Sequence, residues 1–255
     1  VYKRQSGKWS FSIDRQDNGE KEKWFSHTLN DFINLPGSMP EKLKGDEVTA
    51  KTQWTGSLYD SSYYYNPYME KYRKEGNIKF PFFLTPDKHY VGAAWYQKEV
   101  NIPADWKGER ILLFLERPHI ETTVWVNGQK TGMQNSLCVP HQYDITHYVR
   151  PGKCTITIRV DNRIKEINVG PDSHSITDQT QGNWNGIVGR ICLQTTPKTY
   201  FDDIQIYPEP EQKLARVKVV IKGTGTAKVK LSAESFNTDK KHIVPAIQQA
   251  VSYTH

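Results

Sequence analysis

Four runs of β-branched and aromatic residues follow one another between residues 94 and 160, and they constrain the fold more than any other feature. Each run has the length of a strand, and the chain shows no comparable pattern of helical spacing. Runs of this composition separated by short polar segments predict consecutive strands. The runs are Ala94–Ile102, Arg110–Leu115, Thr122–Val126 and Thr155–Val160. The sequence therefore predicts an all-β fold.

A tight turn and further alternating segments extend this prediction. Asn127 and Gly128 directly follow the VWV run, and both residue types tolerate the positive φ angles of a two-residue type I′ hairpin. Trp9–Ile13 alternates large apolar and small polar residues, which is typical of a strand with one buried face. After Pro197 the alternation starts again in Ile204–Tyr207, Ala215–Ile221 and Ala227–Ala233. We expect a second, smaller sandwich there.

Charge and cysteine usage exclude several classes of protein. The formal net charge is +6, but basic and acidic residues are interleaved, so no basic stripe of the kind that binds nucleic acid appears. Three cysteines, Cys138, Cys154 and Cys192, are too few and too widely spaced for a disulfide framework or a metal site. No apolar stretch has the length of a membrane span. We expect no nucleic-acid partner, no membrane insertion, no metal and no cofactor.

A long irregular segment, residues 35–90, is unusually aromatic. Tyrosines crowd its middle, between Tyr59 and Tyr72, and phenylalanines follow at residues 80–83. Loops of this length are usually functional or disordered, and the aromatic content favours a packed, functional loop.

Five motifs between Tyr90 and Leu193 carry a resemblance to a known family. VGAAWYQKEVNIP is similar to a Gly-x-x-Trp-Tyr-x-Lys strand, and LLFLERPHIETTVWVNGQKTG resembles a hairpin that contains Val-Trp-Val-Asn-Gly. HQYDIT, ITIRVDNR and NWNGIVGRICL resemble a turn, a strand that ends in Val-Asp-Asn and a closing Gly-Ile-x-Arg strand. In this order they resemble the sugar-binding domain of family 2 glycoside hydrolases.

The resemblance implies a jelly-roll, galactose-binding-like β-sandwich at residues 6–197, followed by a truncated immunoglobulin-like β-sandwich at residues 198–250. A (β/α)₈ barrel would follow with two catalytic glutamates, which makes such enzymes retaining. Neither glutamate has a counterpart in this sequence, so we expect no catalytic residue in this chain and no activity from it alone. The carbohydrate substrate would be bound through the missing barrel.

Three residues are candidate substrate contacts. Asn77, in Asn-Ile-Lys-Phe-Pro, is similar to a sugar-binding asparagine of β-galactosidase-like members, although a loop asparagine bound to its own backbone fits equally well. Asp178 is the nearest acid before Gly186, but it lies slightly too far upstream unless Gln181 and Gly182 are an insertion. Trp184 has the residue type that stacks on a pyranose, and packing is its alternative role.

The two ends of the chain resemble foreign sequence. The pentapeptides Val1–Gln5 and Val251–His255 can be encoded by complementary DNA strands that match a transposon end used to prepare sequencing libraries. Residues 1–5 and 251–255 are therefore expected to derive from adapters, and residues 6–250 to be an internal piece of a longer gene.

The sequence thus favours the N-terminal fragment of a retaining exo-β-glycosidase, β-galactosidase-like, in bacterial carbohydrate catabolism. The alternatives are a β-glucuronidase or β-mannosidase fragment, a non-enzymatic carbohydrate-binding module, or a purely structural sandwich. The last alternative predicts that the loop from Tyr59 to Phe83 packs away from any open groove. The resemblance implies a periplasmic or extracellular placement, and it leaves homo-oligomerisation open.

Overall fold

A computed structural model describes residues 1–57, 60–165, 172–223, 226–234 and 243–252; Tyr59 and the last three residues of the chain lie outside them. The chain divides into two compact units. The first unit is Val1–Lys107 with Ile111–Thr195, and the second is Gly108–Arg110 with Thr196–His255. All described sheets are antiparallel, so the all-β prediction is confirmed.

Two sheets form the sandwich of the first unit. The six-stranded sheet has the order β10-β9-β12-β7-β2-β3, and the five-stranded sheet has the order β1-β13-β8-β11, with β4 paired to β13. A small ladder, β5-β6, lies beside them. The strands of this unit are β1 Tyr2–Arg4, β2 Gly7–Asp14, β3 Asp31–Leu35, β4 Gly37–Ser38, β5 Asp46–Glu47, β6 Lys88–His89, β7 Ala93–Ile102, β8 Arg110–His119, β9 Glu121–Val126, β10 Gln129–Asn135, β11 His141–Asp144, β12 Gly152–Asp161 and β13 Gly186–Thr196.

Helical segments are short. One α-helical turn, α1, spans Ser62–Tyr65, and the 3₁₀ segments are Trp24–Ser26, Pro40–Lys42, Pro67–Tyr72, Ala104–Trp106, Thr146–Tyr148 and Pro210–Gln212. No helix among the described residues is both long enough and apolar enough to cross a membrane.

The sandwich core lies between the two sheets. Side chains that alternate along each strand point inward. The fully buried members include Trp9, Phe11, Tyr96, Leu113, Leu115, Val124, Ile156 and Leu193. On the opposite face of the six-stranded sheet, Trp95 and Trp125 stack with ring centroids 5.0 Å apart, and the segment around Trp24 and Phe25 covers them. Strands β7 and β9 are therefore buried on both faces.

The predicted hairpin at Asn127 and Gly128 is present. Gln129 pairs with Val126, and the two turn residues have φ angles of 50° and 78°. Tyr2–Arg4, which the sequence prediction excludes from the fold as adapter sequence, instead forms β1, paired with Arg4 opposite Cys192 of β13. The edge position explains this pairing, because β13 has unpaired backbone groups there that any extended segment can satisfy. The adapter origin of both ends stays a prediction.

In the second unit, the described residues form two hairpins. β14 Tyr200–Glu209 pairs with β15 Leu214–Lys222, and β16 Thr226–Glu234 pairs with β17 Ile243–Ser252. The alternation in the sequence predicts three of these four strands.

Candidate functional site: the loop end of the sandwich

One end of the sandwich collects the chain segments that carry the candidate residues. β8 ends and β9 begins there, next to the end of β12 and the start of β7, because Asp161 pairs with both Glu121 and Ala93. β13 begins at the same end with Gly186, because the preceding Asn185 donates to the carbonyl oxygens of Gly92 and Val160, beside the start of β7 and the end of β12. We call this region the loop end.

Asp178 is the centre of the loop end. Its carboxylate is 1% exposed and accepts hydrogen bonds from the backbone N–H groups of Thr55, at 2.6 Å, and Asn183, at 2.6 Å. The Nε2 atom of His89 lies 3.4 Å from Oδ2. The Asp178 carbonyl oxygen also accepts a hydrogen bond from the Leu84 N–H. One side chain therefore holds together segments that are more than 120 residues apart.

Asn183, a residue that the sequence did not single out, extends this network. Its Nδ2 donates to the Asn162 carbonyl oxygen at 3.0 Å and to Thr55 Oγ1 at 3.0 Å. Its Oδ1 lies 3.2 Å from His119 Nε2. In the sequence, Asn183 is marked only as an amide in the NWNG motif. The residues that its side chain contacts lie far away in the sequence, so no local pattern predicts this network.

Trp184 is half-buried between two locked residues. Its ring stacks on the His119 imidazole, with centroids 4.6 Å apart and an interplanar angle of 24°. On its C-terminal side, Asn185 donates from Nδ2 to the carbonyl oxygens of Gly92 and Val160 and accepts from the Tyr96 hydroxyl at 2.7 Å.

A groove of about 340 Å³ opens at the loop end. Asp178 and Trp184 both line it, together with Pro40, Leu84, Pro86 and Asn183. Two of the three predicted site residues are thus brought together. A mixed apolar and polar lining of this kind suits a sugar ring, which has apolar faces and a hydroxyl rim.

Asn77 is not among the residues that line this groove. It is exposed, its Nδ2 donates to the Lys71 carbonyl oxygen at 2.7 Å, and its N–H donates to the Lys74 carbonyl oxygen. This is the local backbone bonding that the sequence offers as the alternative. A role of Asn77 in sugar binding stays a prediction.

The aromatic loop packs beside Asp178. Trp54 contacts the rings of Phe80, Phe83 and His89 at centroid distances of 4.9, 5.2 and 4.9 Å. Tyr63, fully buried, stacks on Phe80. The chain then continues into Leu84, which lines the groove, but no described residue of 60–83 does so. The alternative of a purely structural sandwich, in which this loop packs away from any open groove, therefore stays open.

A buried ion network supports the neighbouring strand ends. Arg159 contacts Asp17, Glu121 and Asp161, and Asp161 is also bound by Arg163. Burial by itself raises the pKa of Asp161, but hydrogen bonds from Arg163 and a lysine, with the charge of Arg159, hold that pKa well below its usual range. These groups satisfy one another and serve as structural support.

Metal and thiol chemistry have no evident site in the part of the chain that the structure describes. No group of three or more His, Cys, Asp or Glu side chains there could hold a metal ion. The three cysteines are free thiols, with Cys138 exposed and Cys154 and Cys192 buried. Burial raises the pKa of the Cys154 thiol to about 11, which keeps it protonated and unreactive at neutral pH.

The two antiparallel sheets, with a groove at the loop end, define an all-β sandwich domain. The family model "Glycosyl hydrolases family 2, sugar binding domain" matches residues 2–197. The chain therefore belongs to glycosyl hydrolase family 2.

Several relatives and solved structures resemble the chain. The β-glucuronidase of Homo sapiens is 28% identical over 176 residues, which cover 60% of this chain and 27% of that protein. The β-glucuronidase of Mus musculus is 26% identical over 168 residues, which cover 58% and 26% of the two chains. The chain thus spans about a quarter of the length of these curated relatives.

Solved β-glucuronidase structures share the fold. The protein from an uncultured Clostridium sp. matches with a TM-score of 0.63 and 18% identity over 98% of this chain and 39% of that chain. The Ruminococcus gnavus enzyme matches with a TM-score of 0.64 and 16% identity over 100% and 39%. The β-galactosidase preference is not confirmed, because these relatives are β-glucuronidases and agree with the alternative instead.

Proposed function

We propose that this chain forms the sugar-binding domain of a retaining exo-β-glycosidase that removes terminal β-glucuronic acid residues. The family membership supports a glycosidase, and the names of the similar proteins support the glucuronide. The structural observation that carries the proposal is the groove in which the Asp178 carboxylate and the Trp184 indole lie together.

Each of the two side chains has a defined task in this proposal. A carboxylate has about four lone-pair sites; the two oxygens of Asp178 accept from two backbone N–H groups and Oδ2 faces His89 Nε2, so capacity remains for about one sugar hydroxyl donor. The Trp184 indole packs against the apolar face of the pyranose. The domain would hold the terminal sugar while the bond is cleaved elsewhere.

Cleavage itself requires two carboxyl groups about 5–5.5 Å apart, one as acid and one as nucleophile. Two acids near the β8–β9 turn are engaged in ion pairs: Glu116 binds Arg190, and Glu121 binds Arg159 and Lys165. We therefore place the catalytic pair outside this chain, in a barrel that the relatives' greater length would accommodate.

The test uses the product of the longest reading frame that contains this sequence, called the parent enzyme below. We expect it to hydrolyse p-nitrophenyl β-D-glucuronide with a kcat/KM at least about 100-fold above those for the β-galactoside and β-mannoside, an order-of-magnitude figure for a site whose hydrogen-bonding groups are left unpaired by the wrong sugar. The 255-residue chain alone should hydrolyse none of them. Preference for the galactoside, or turnover by the isolated chain, would overturn the proposal.

Asp178→Asn in the parent enzyme tests the sugar contact. Loss of a charge-assisted hydrogen bond should lower kcat/KM on the order of 10- to 100-fold. Asp172→Asn is the matched control, because the exposed Asp172 accepts from the Ser57 N–H at 2.6 Å and so ties down the same loop, yet it is not among the groove residues. Equal losses in the two variants would mean that Asp178 only holds the loop.

A stand-alone carbohydrate-binding module is the second candidate, supported by the same groove. It predicts that the 255-residue chain binds methyl β-D-glucuronide measurably by itself, whereas the leading proposal predicts binding too weak to detect at millimolar sugar. Saturation-transfer NMR separates the two. A periplasmic or extracellular placement and homo-oligomerisation stay proposals; secretion of the parent enzyme and light scattering test them.

A further inference from the structure

His119 lies behind Trp184 at the loop end. It is the last residue of β8, it is 5% exposed, and it is not among the residues that line the groove. Its imidazole covers the Trp184 indole at 4.6 Å in a near-parallel stack, while Trp184 itself lines the groove. The imidazole thus supports the indole from the protein side.

The backbone around Trp184 is already fixed, so the orientation of its side chain is the remaining variable. Asn183 and Asn185, on either side, are 3% and 1% exposed and have fully engaged side chains. The Asn183 N–H is also bound to the Asp178 carboxylate. Between these two anchors, the His119 ring lies in stacking contact with the indole.

Hydrogen bonding fixes which ring nitrogen of His119 carries a proton. Asn183 Nδ2 faces the Asn162 carbonyl oxygen, which can only accept, so the amide oxygen of Asn183 must face His119. His119 Nε2 is therefore a donor. Burial lowers the pKa of His119 to about 4, so the imidazole is the neutral Nε2–H form at neutral pH. The stack on Trp184 consequently brings no positive charge beside the groove.

We propose that His119 is a positioning residue that holds the Trp184 indole as the stacking wall of a pyranose-binding groove. The inference rests on the proposed function, because it specifies how the same groove recognises the sugar ring. An indole that is already held in one orientation loses no rotamer freedom when the sugar binds. The side-chain entropy of Trp184 is therefore lost on folding and does not weaken sugar binding. Loss of His119 would leave Trp184 in place but free to take other orientations.

The experiment is a double-mutant cycle between His119 and Trp184 in the parent enzyme, with p-nitrophenyl β-D-glucuronide as substrate. Trp184→Ala should raise KM about ten-fold and His119→Ala about five-fold, with kcat changed less than two-fold, as expected for loss of uniform binding. The double variant should be no worse than Trp184→Ala alone, because His119 acts only through the indole.

Rescue and control variants separate positioning from general destabilisation. His119→Phe keeps a ring behind Trp184 and should restore most of the wild-type KM, whereas His119→Asn keeps a hydrogen-bond donor without the ring and should not. His141→Ala removes another fully buried histidine, bound to Thr122 and Ser136, and should leave KM unchanged in the folded fraction. Additive effects of His119→Ala and Trp184→Ala, or failure of His119→Phe to rescue, would overturn the inference.

A readout without substrate keeps this inference distinct from the proposed function. In the 255-residue chain, the Trp184 indole N–H signal, assigned by Trp184→Phe, should broaden or split in His119→Ala and stay single in His119→Phe. An unchanged signal in His119→Ala would refute the positioning role even if the parent enzyme is a glucuronidase. Inactivity of the parent enzyme on every β-glycoside, with the predicted change in the signal, would instead refute the proposed function alone.

Discussion

Lowering the pH from 7 to 5 tests the buried, neutral state of His119 through the stability of the fold. The His119 pKa is 6.5 in the unfolded chain and about 4 in the folded chain, with burial as the largest cause. Between these values the unfolded chain binds more protons, so stability falls as the pH falls through 6.5 and continues to fall toward 4. Linkage gives a loss of about 2 kcal/mol from His119 between pH 7 and pH 5.

The assay is urea unfolding followed by tryptophan fluorescence at the two pH values. All seven tryptophans lie in the first unit, so the signal reports on that unit alone. His141, whose pKa burial also lowers, contributes with the same sign, and therefore the wild type must be compared with His119→Phe. The variant should lose about 2 kcal/mol less than the wild type over this interval. Equal losses would refute the argument that folding keeps His119 uncharged.

Two further substitutions test the support and the limits of the site. Asp161→Asn leaves the buried Arg159 with fewer partners and should lower the free energy of unfolding by about 3 kcal/mol in the same urea assay. As a control, Glu99→Gln in the exposed pair with Lys153 should leave the urea midpoint unchanged. A midpoint for Asp161→Asn equal to that of the wild type would contradict a structural role of the network. Asn77→Ala should leave the kcat/KM of the parent enzyme on the glucuronide at the level of the exposed control Asn101→Ala, because the Asn77 side chain donates to the Lys71 carbonyl oxygen. A loss of about ten-fold in Asn77→Ala alone would show that Asn77 is a sugar contact.

Local patterns predicted the strands and turns well, because their causes are local. Alternation along Trp9–Ile13 reflects the two faces of one strand, and the φ angles at Asn127 and Gly128 follow from the residue types themselves. For Asn77 the local pattern left a sugar contact and a local backbone bond equally open, and the structure shows the bond to the Lys71 carbonyl oxygen. Residues 1–5 were excluded from the fold because they resemble adapter sequence, but three of them form β1, since any extended segment can pair with the open edge of β13.

The candidate site was only partly predictable, because its contacts join distant segments. The spacing of Asp178 looked too long for a groove residue, but a turn returns the chain so that the Asn183 N–H reaches the Asp178 carboxylate. Asn183 and His119 are 64 residues apart in the sequence, and no local pattern pairs them. A histidine at the end of an apolar strand can have many roles, and the sequence does not distinguish them. Only the contact of His119 with Trp184 in the folded structure indicates its role here.

The sequence by itself determined that the chain is all-β, where most strands of the sandwich run and which family it belongs to, since hydrophobic alternation, turn chemistry and ordered motifs are properties of consecutive residues. Tertiary structure alone decided that Asp178 and Trp184 share a groove, that Asn77 does not line it, and that His119 supports the indole. The physical reason is that burial and hydrogen bonding between residues far apart depend on how the sheets close over each other, and the local sequence does not encode that closure.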